Sequence, residues 1–221
     1  EVYRPSEDKY LTFEVERKTI EIPMVTSKML DNNIGYVAVY EFEETTSEQF
    51  NQAIDELTAQ GMKGLIIDLR DNPGGLVNSA TAILDRILTK DQLLVYTVDK
   101  NGKKQEEYTE DDETINVPIS VLINGNSASA SEIVSGCLQD YGKAKLVGTT
   151  SFGKGIVQYV LPLGDGSAIK LTSAKYYTPN GRNIHGTGID PDVEVELNSD
   201  SETDTQLEKS QEIVMQEIQA E

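Results

Sequence analysis

Leu65-Ile66-Ile67-Asp68-Leu69-Arg70-Asp71-Asn72-Pro73-Gly74-Gly75 is the stretch that decides the fold. Its three consecutive large apolar residues, with no polar alternation, describe a short strand covered on both faces. The Asn-Pro-Gly-Gly turn stops that strand, and Leu76, Ala80, Ile83, Leu84, Ile87 and Leu88 follow at helical spacing. Upstream, Ile34 to Tyr40 reads as a strand. Ser47 to Gln60 reads as a helix, with Phe50, Ala53, Ile54 and Leu57 on one face and Gly61 as its stop. Downstream, Ile119 to Ile123 is a strand, Ala130 to Tyr141 a helix and Leu146-Val147 a short strand. This alternation predicts an α/β fold with a largely parallel sheet.

Two hairpins and a helix complete the core. Leu93 to Val98 and Gln105 to Thr109 flank Asn101-Gly102, and Ile156 to Leu161 and Ala168 to Thr172 flank Gly164-Asp165-Gly166. Leu207 through Ile218 has helical spacing and strong helix formers. The N-terminus differs. Tyr10 to Glu16 alternates, with Leu11, Phe13 and Val15 on one face, and Val2-Tyr3 is its partner across Pro5-Ser6-Glu7-Asp8. A lone two-stranded hairpin is marginal, so fraying is expected there. The boundaries follow: a hairpin over 1–18, a connector over 19–33 bracketed by Pro23 and Asp31-Asn32-Asn33, and a core over 34–221 closed by the helix.

The chain has 221 residues, 38% of them hydrophobic, enough for a sizeable core. Its 38 acidic and 19 basic residues give a net charge of −19. Such a surface repels phosphate backbones and anionic lipid, which excludes a sequence-independent nucleic-acid binder and membrane contact by this stretch. Cys137 is the single cysteine and His185 the single histidine, so neither an intramolecular disulfide nor a thiolate zinc site is available. Glu110-Asp111-Asp112-Glu113 reads as a solvated loop, lacking the glycine and spacing of a calcium-binding loop. No apolar run approaches the ~18–20 residues that span a bilayer, and the first residues carry no basic-then-apolar export signal.

Candidate chemistry lies in Asn124 to Glu132, Asn-Gly-Asn-Ser-Ala-Ser-Ala-Ser-Glu, between a predicted strand and a predicted helix. Serines there are ordinary helix caps. A serine at a helix N-terminus also faces free backbone N–H groups that would stabilise an oxyanion. Such a nucleophile needs a base. His185 sits in a turn-rich stretch with no carboxylate partner in sequence. A lysine can serve when burial leaves its amine partly neutral. Lys154, in Ser151-Phe152-Gly153-Lys154-Gly155, has an odd setting for a solubilising charge. If a strand runs through it, Gln158 shares its face and can orient the amine.

Ser127-Ala128-Ser129-Ala130-Ser131-Glu132-Ile133, Gln139-Asp140-Tyr141-Gly142 and Phe152-Gly153-Lys154-Gly155-Ile156-Val157-Gln158 together resemble the carboxy-terminal processing proteases, serine endopeptidases of the tail-specific type. Leu65 to Gly75, Tyr176 to Arg182 and Gly188 to Val193 look like that family's other motifs, and the resemblance runs from about Thr19 to the C-terminal helix. It implies Ser129 as nucleophile rather than Ser127 or Ser131, Lys154 as base and Gln158 beside it. It also implies an oxyanion hole from the amides of Ala130 and of Gly75 or Gly74. Asp140 falls within a matched motif as a supporting residue, with a plain helix-terminal carboxylate as the equal alternative.

The fold implied is α/β and crotonase-like (of the ClpP/crotonase type) with flanking strands, the hairpin Val2 to Arg17 being the last two strands of a PDZ domain. No metal or organic cofactor is implied. The partner is a polypeptide substrate cut near its C-terminal tail, with room for a homo-oligomer of the full-length enzyme. Its location would be extracytoplasmic, by membrane anchoring or secretion. Two rivals remain: a module on the same core that binds extended peptide without cutting it, and a Ser–His hydrolase using His185.

Overall fold

The computed structural model describes residues 1–18, 20, 22–112, 114–197 and 203–220. Thr19 and Glu21 of the expected connector, Glu113 of the acidic loop, and 198–202 and 221 of the expected core lie outside the described residues. The deciding apolar run is strand β5 (Gly64–Asp68), buried along its whole length. It lies between β4 (Ile34–Val39) and β8 (Ile119–Ile123), parallel to both. Beyond β8 come β9 (Ala144–Gly148) and the two-residue β12 (Val193–Glu194), also parallel. β3 (Val25–Met29) closes the other edge, antiparallel to β4, making a six-stranded sheet.

Alternation across β5 explains why Leu65-Ile66-Ile67 is apolar without interruption. Leu65 and Ile67 pack into one cluster with α1 (Thr46–Ala59), α2 (Val77–Ile87) and α3 (Ala130–Asp140). Ile66 packs into a second cluster on the opposite face, with Val214 of α4 (Thr205–Ala220). Each such side chain contributes ~1.5–3 kcal/mol on burial. Arg70, just past β5, ties α4 down: its guanidinium bonds Asp68, Asp204 and the Gln206 side chain.

A four-stranded antiparallel sheet covers the opening next to α3. Its order is β10 (Ile156–Pro162), β11 (Ala168–Tyr177), β6 (Leu93–Asp99) and β7 (Lys104–Tyr108). The two hairpins expected from sequence are both present. Their union was not expected: β11 extends past Thr172 to Tyr177, and those last residues pair with β6.

Two local expectations change. The expected connector, 19–33, contains β3, whose exposed central residues Thr26, Ser27 and Lys28 dilute the apolar signal of an edge strand. The N-terminal hairpin pairs β1 (Val2–Arg4) with β2 (Lys9–Leu11) only. The strand expected to Glu16 stops at Leu11, because Leu11 already opposes Val2 and residues 12–18 join no strand among the described residues. Phe13 and Val15 are 55% and 85% exposed.

Candidate active site

β8 ends at Ile123, and the chain turns through Asn124 to Ala128 before α3 begins. The three serines of that turn differ in what they touch. Ser127 is fully buried; its Oγ donates to Leu69 O at 2.7 Å and accepts from the Asn124 amide at 2.9 Å. Ser131, also fully buried, donates to Asn72 O at 2.9 Å. Both hydroxyls are consumed in joining the serine turn to the Asn72 loop. Ser129 is the N-cap of α3, with φ 56° and ψ −111°, a left-handed backbone that costs a non-glycine residue of order 1–3 kcal/mol. Its Oγ donates to no acceptor among the described residues and opens onto a cleft of about 890 Å³.

The loop Asp71 to Gly75 is pressed against this serine. A Cβ on Gly74 would fall 2.7 Å from Ser129 Cβ and 3.0 Å from the Ala130 nitrogen. Asp71 accepts the side-chain amides of Asn124 and Asn126, and these bonds hold its carboxyl below the usual carboxylate range. The Gly74 amide is occupied, donating to Asn72 Oδ1 at 2.9 Å. Gly75 is straddled: the Phe42 amide donates to Gly74 O and the Leu76 amide to Phe42 O, leaving the Gly75 N–H with no acceptor among the described residues. The Ala130 N–H, first in α3, has none either. The Gly75 amide at the cleft and the Ala130 amide, next to Ser129 in the chain but fully buried, are thus both undonated, as is the Ser129 hydroxyl.

Lys154, half-buried, lines the same cleft, as do Gln158 and the apolar side chains Leu76, Val77, Ile133, Ile156 and Val157. Both Lys154 and Ser129 line the cleft, with no hydrogen bond between Lys154 Nζ and Ser129 Oγ. The face-sharing argument for Gln158 does not hold as drawn. β10 begins after Lys154, and its pairing with β11 shifts register between Val157 and Gln158, so no unbroken period-2 strand connects the two residues. The Gln158 amide donates instead to Thr172 Oγ1 at 3.2 Å. The glycines beside Lys154 reflect close backbone approach: a Cβ on Gly153 would meet the Gly188 amide at 2.8 Å, and one on Gly155 the His185 amide at 2.7 Å.

The two other candidates lie elsewhere. Asp140 ends α3, at the opposite end from Ser129, where it accepts the Asn180 amide at 2.8 Å and pairs with Arg182. Its side chain is buried at the helix end and outside the cleft. His185 is exposed and contributes nothing to the cleft lining. Among the described residues no group of acidic, cysteine or histidine side chains could hold a metal ion.

Two residues escaped the sequence reading. Glu132 is fully buried, and its carboxylate accepts four hydrogen bonds: from the amides of Ser129, Gly153 and Lys154 and from Ser151 Oγ. The Ser-x-x-Glu spacing of a capping box was its available signal. Tyr176, at the end of β11, donates its hydroxyl to Ser129 O at 3.0 Å. Burial first, and then the charge of Glu132, push that hydroxyl's pKa well up, so it stays a donor. No local pattern announces this contact.

The chain is similar to known proteins. A profile described as peptidase family S41 matches residues 33–195. The carboxy-terminal processing protease CtpB of Bacillus subtilis is 41% identical over 199 residues, covering 88% of this chain and 41% of that protein. The carboxy-terminal-processing protease of Bartonella bacilliformis is 42% identical over 198 residues, covering 86% and 44%. The chain therefore spans about two fifths of the length of these curated relatives. Among solved structures, a photosystem II D1 C-terminal processing protease superposes with a TM-score of 0.72 at 31% identity, covering 90% of this chain and 54% of that one. With the profile matched over most of its length, this chain belongs to peptidase family S41.

Proposed function

We propose that this chain is the catalytic core of a serine endopeptidase in which Ser129 is the nucleophile and Lys154 the general base. The observation that carries the reading is the grouping in one cleft of Ser129, with its undonated hydroxyl at the start of α3, Lys154, and the unspent Gly75 amide, beside the equally free N–H of Ala130. The neutral Lys154 amine takes the Ser129 proton as Oγ attacks the scissile carbonyl. The N–H groups of Gly75 and Ala130 receive the oxyanion. Lys154 then protonates the leaving amine, and water hydrolyses the acyl-enzyme. Gln158 sits in the same cleft and, once released from Thr172, can orient the lysine.

An extended peptide fits by strand addition along β10, a free sheet edge that starts two residues after Lys154. The apolar wall of Leu76, Val77, Ile133, Ile156 and Val157 suits a non-polar residue at the cut bond. The names of the relatives support cleavage near protein C-termini; a crotonase-like core over 34–221 and a PDZ origin for the first hairpin rest on the sequence motifs alone. An extracytoplasmic setting for the whole protein follows only from the motif resemblance; no helix among the described residues is long and apolar enough to cross a membrane.

The test is digestion of casein and of a peptide with an apolar tail. Ser129→Ala and Lys154→Ala should each abolish cutting while His185→Ala leaves it intact. Loss with His185→Ala and retention with Lys154→Ala would replace the dyad by a histidine base.

A further inference from the structure

Glu132 is an unusual occupant of a protein interior: a carboxylate with no exposed surface and no cationic partner among its hydrogen bonds. Burying such a group is costly unless its lone pairs are filled. Here they are, by donors from two separate segments. Oε2 accepts the Ser129 amide at 2.8 Å and the Lys154 amide at 2.8 Å. Oε1 accepts the Gly153 amide at 2.7 Å and Ser151 Oγ at 2.6 Å. A single oxygen atom therefore bridges the backbones of the two residues assigned to the dyad, holding their nitrogens within twice 2.8 Å of each other.

We infer that Glu132 is the positioning residue of this site, setting the distance and orientation between Ser129 and Lys154 through their backbone amides. The inference deepens the Ser129/Lys154 reading and rests on it. Three observations make the bridge more than a helix cap. A cap at the third position of a helix has to satisfy one amide, whereas this one holds three amides and a hydroxyl from segments that meet only in the tertiary fold. The dyad side chains do not bond one another, so their relation is set by their backbones. Ser129 also holds a left-handed conformation that needs outside support, and Glu132 and Tyr176 grip its amide and its carbonyl respectively. Glu132 does not line the cleft, so substrate never meets it.

The experiment measures kcat and KM on a fluorogenic peptide for the parent chain and for Glu132→Gln, Ser151→Ala, Ser129→Ala and Lys154→Ala, with an unfolding midpoint for each. Glutamine keeps one acceptor oxygen and turns an NH2 group towards N–H donors, so half the bridge is lost with volume unchanged. Glu132→Gln should lower kcat on the order of 10- to 100-fold with KM unchanged within about twofold. Ser151→Ala removes one donor and keeps the carboxylate; it should lower kcat by roughly 2- to 10-fold, again without moving KM. In folded protein, parental kcat in both variants while Ser129→Ala and Lys154→Ala are inactive would overturn the positioning role alone. The role is also overturned if any loss of kcat merely tracks the fraction unfolded and is restored by cooling. Full activity in Ser129→Ala would instead remove the dyad, and the inference with it.

Discussion

Tyr176 donates its phenolic hydroxyl to the carbonyl oxygen of Ser129 at 3.0 Å, joining the last residues of β11 to the first turn of α3. The same carbonyl accepts the amides of Glu132 and Ile133, so it keeps partners when the phenol is lost. Tyr176→Phe should therefore cost only about 0.5–1.5 kcal/mol in urea unfolding. The aromatic wall of the cleft persists, and a few-fold fall in kcat is expected from a looser Ser129. A loss above ~3 kcal/mol would show that the hydroxyl carries more of the fold than this geometry allows.

Gly74 and Gly75 have φ of 105° and 136°, and a Cβ on Gly75 would fall 2.2 Å from Phe42 O. Gly75→Ala should displace the free amide and abolish cleavage. Gly74→Ala should push against Ser129 Cβ, with the same effect on cleavage. Acylation of Ser129 by a fluorophosphonate, followed by mass spectrometry, checks both; undiminished labelling in either variant would contradict the packing.

Ser127 and Ser131 are structural hydroxyls by their contacts. Their replacement by alanine should cost about 1–3 kcal/mol each, because a buried partner loses its bond. Fluorophosphonate should still label both variants at Ser129. Loss of labelling in folded Ser131→Ala with labelling retained in Ser129→Ala would move the nucleophile.

The pairing of Arg70 with Asp204 gives α4 an acid-sensitive anchor. Burial raises the Asp204 pKa, but hydrogen bonds from Arg70 and from the Leu207 amide outweigh it and leave the carboxyl below its usual range. A depressed folded pKa stabilises above the unfolded value of ~3.9, and that stability disappears as pH falls through the folded value. Asp204→Asn should thus lower stability by about 1 kcal/mol at neutral pH. Parent and variant should converge in urea midpoint as the pH drops below ~4. A gap that persists in acid would rule the ion pair out as its source.

Amide exchange should separate the first hairpin from the core. The strands Val2–Arg4 and Lys9–Leu11 are three residues each with almost every side chain exposed, so their amides should exchange fast, while Leu65 to Ile67 stay protected. Strong protection of Lys9 to Leu11 in a dilute monomer would show the hairpin docked.

The sequence by itself determined the elements whose pattern is local. The unbroken Leu65-Ile66-Ile67 run announced a strand buried on both faces, and the faces are indeed filled by separate clusters. Helical spacing placed α1 to α4, and turn pairs placed both inner hairpins. The motifs around Ser129 and Lys154 pointed to the family because chemistry confines their residue types. β3 was missed because three exposed polar residues interrupt its pattern.

What only the tertiary structure decided is which of several equivalent groups is free. Three serines within five residues look alike in sequence. Ser127 and Ser131 are told apart from Ser129 by the carbonyls of Leu69 and Asn72, which arrive from a loop more than fifty residues away. Gly74 and Gly75 are told apart by Asn72, which takes one amide and leaves the other. Gln158 lines the cleft with Lys154 despite a register shift before it, and only strand pairing shows that its amide donates to Thr172. Periodicity reports which face of an element is buried. Whether a polar atom is spent depends on the partner the fold brings to it, and that partner is rarely a neighbour in the chain.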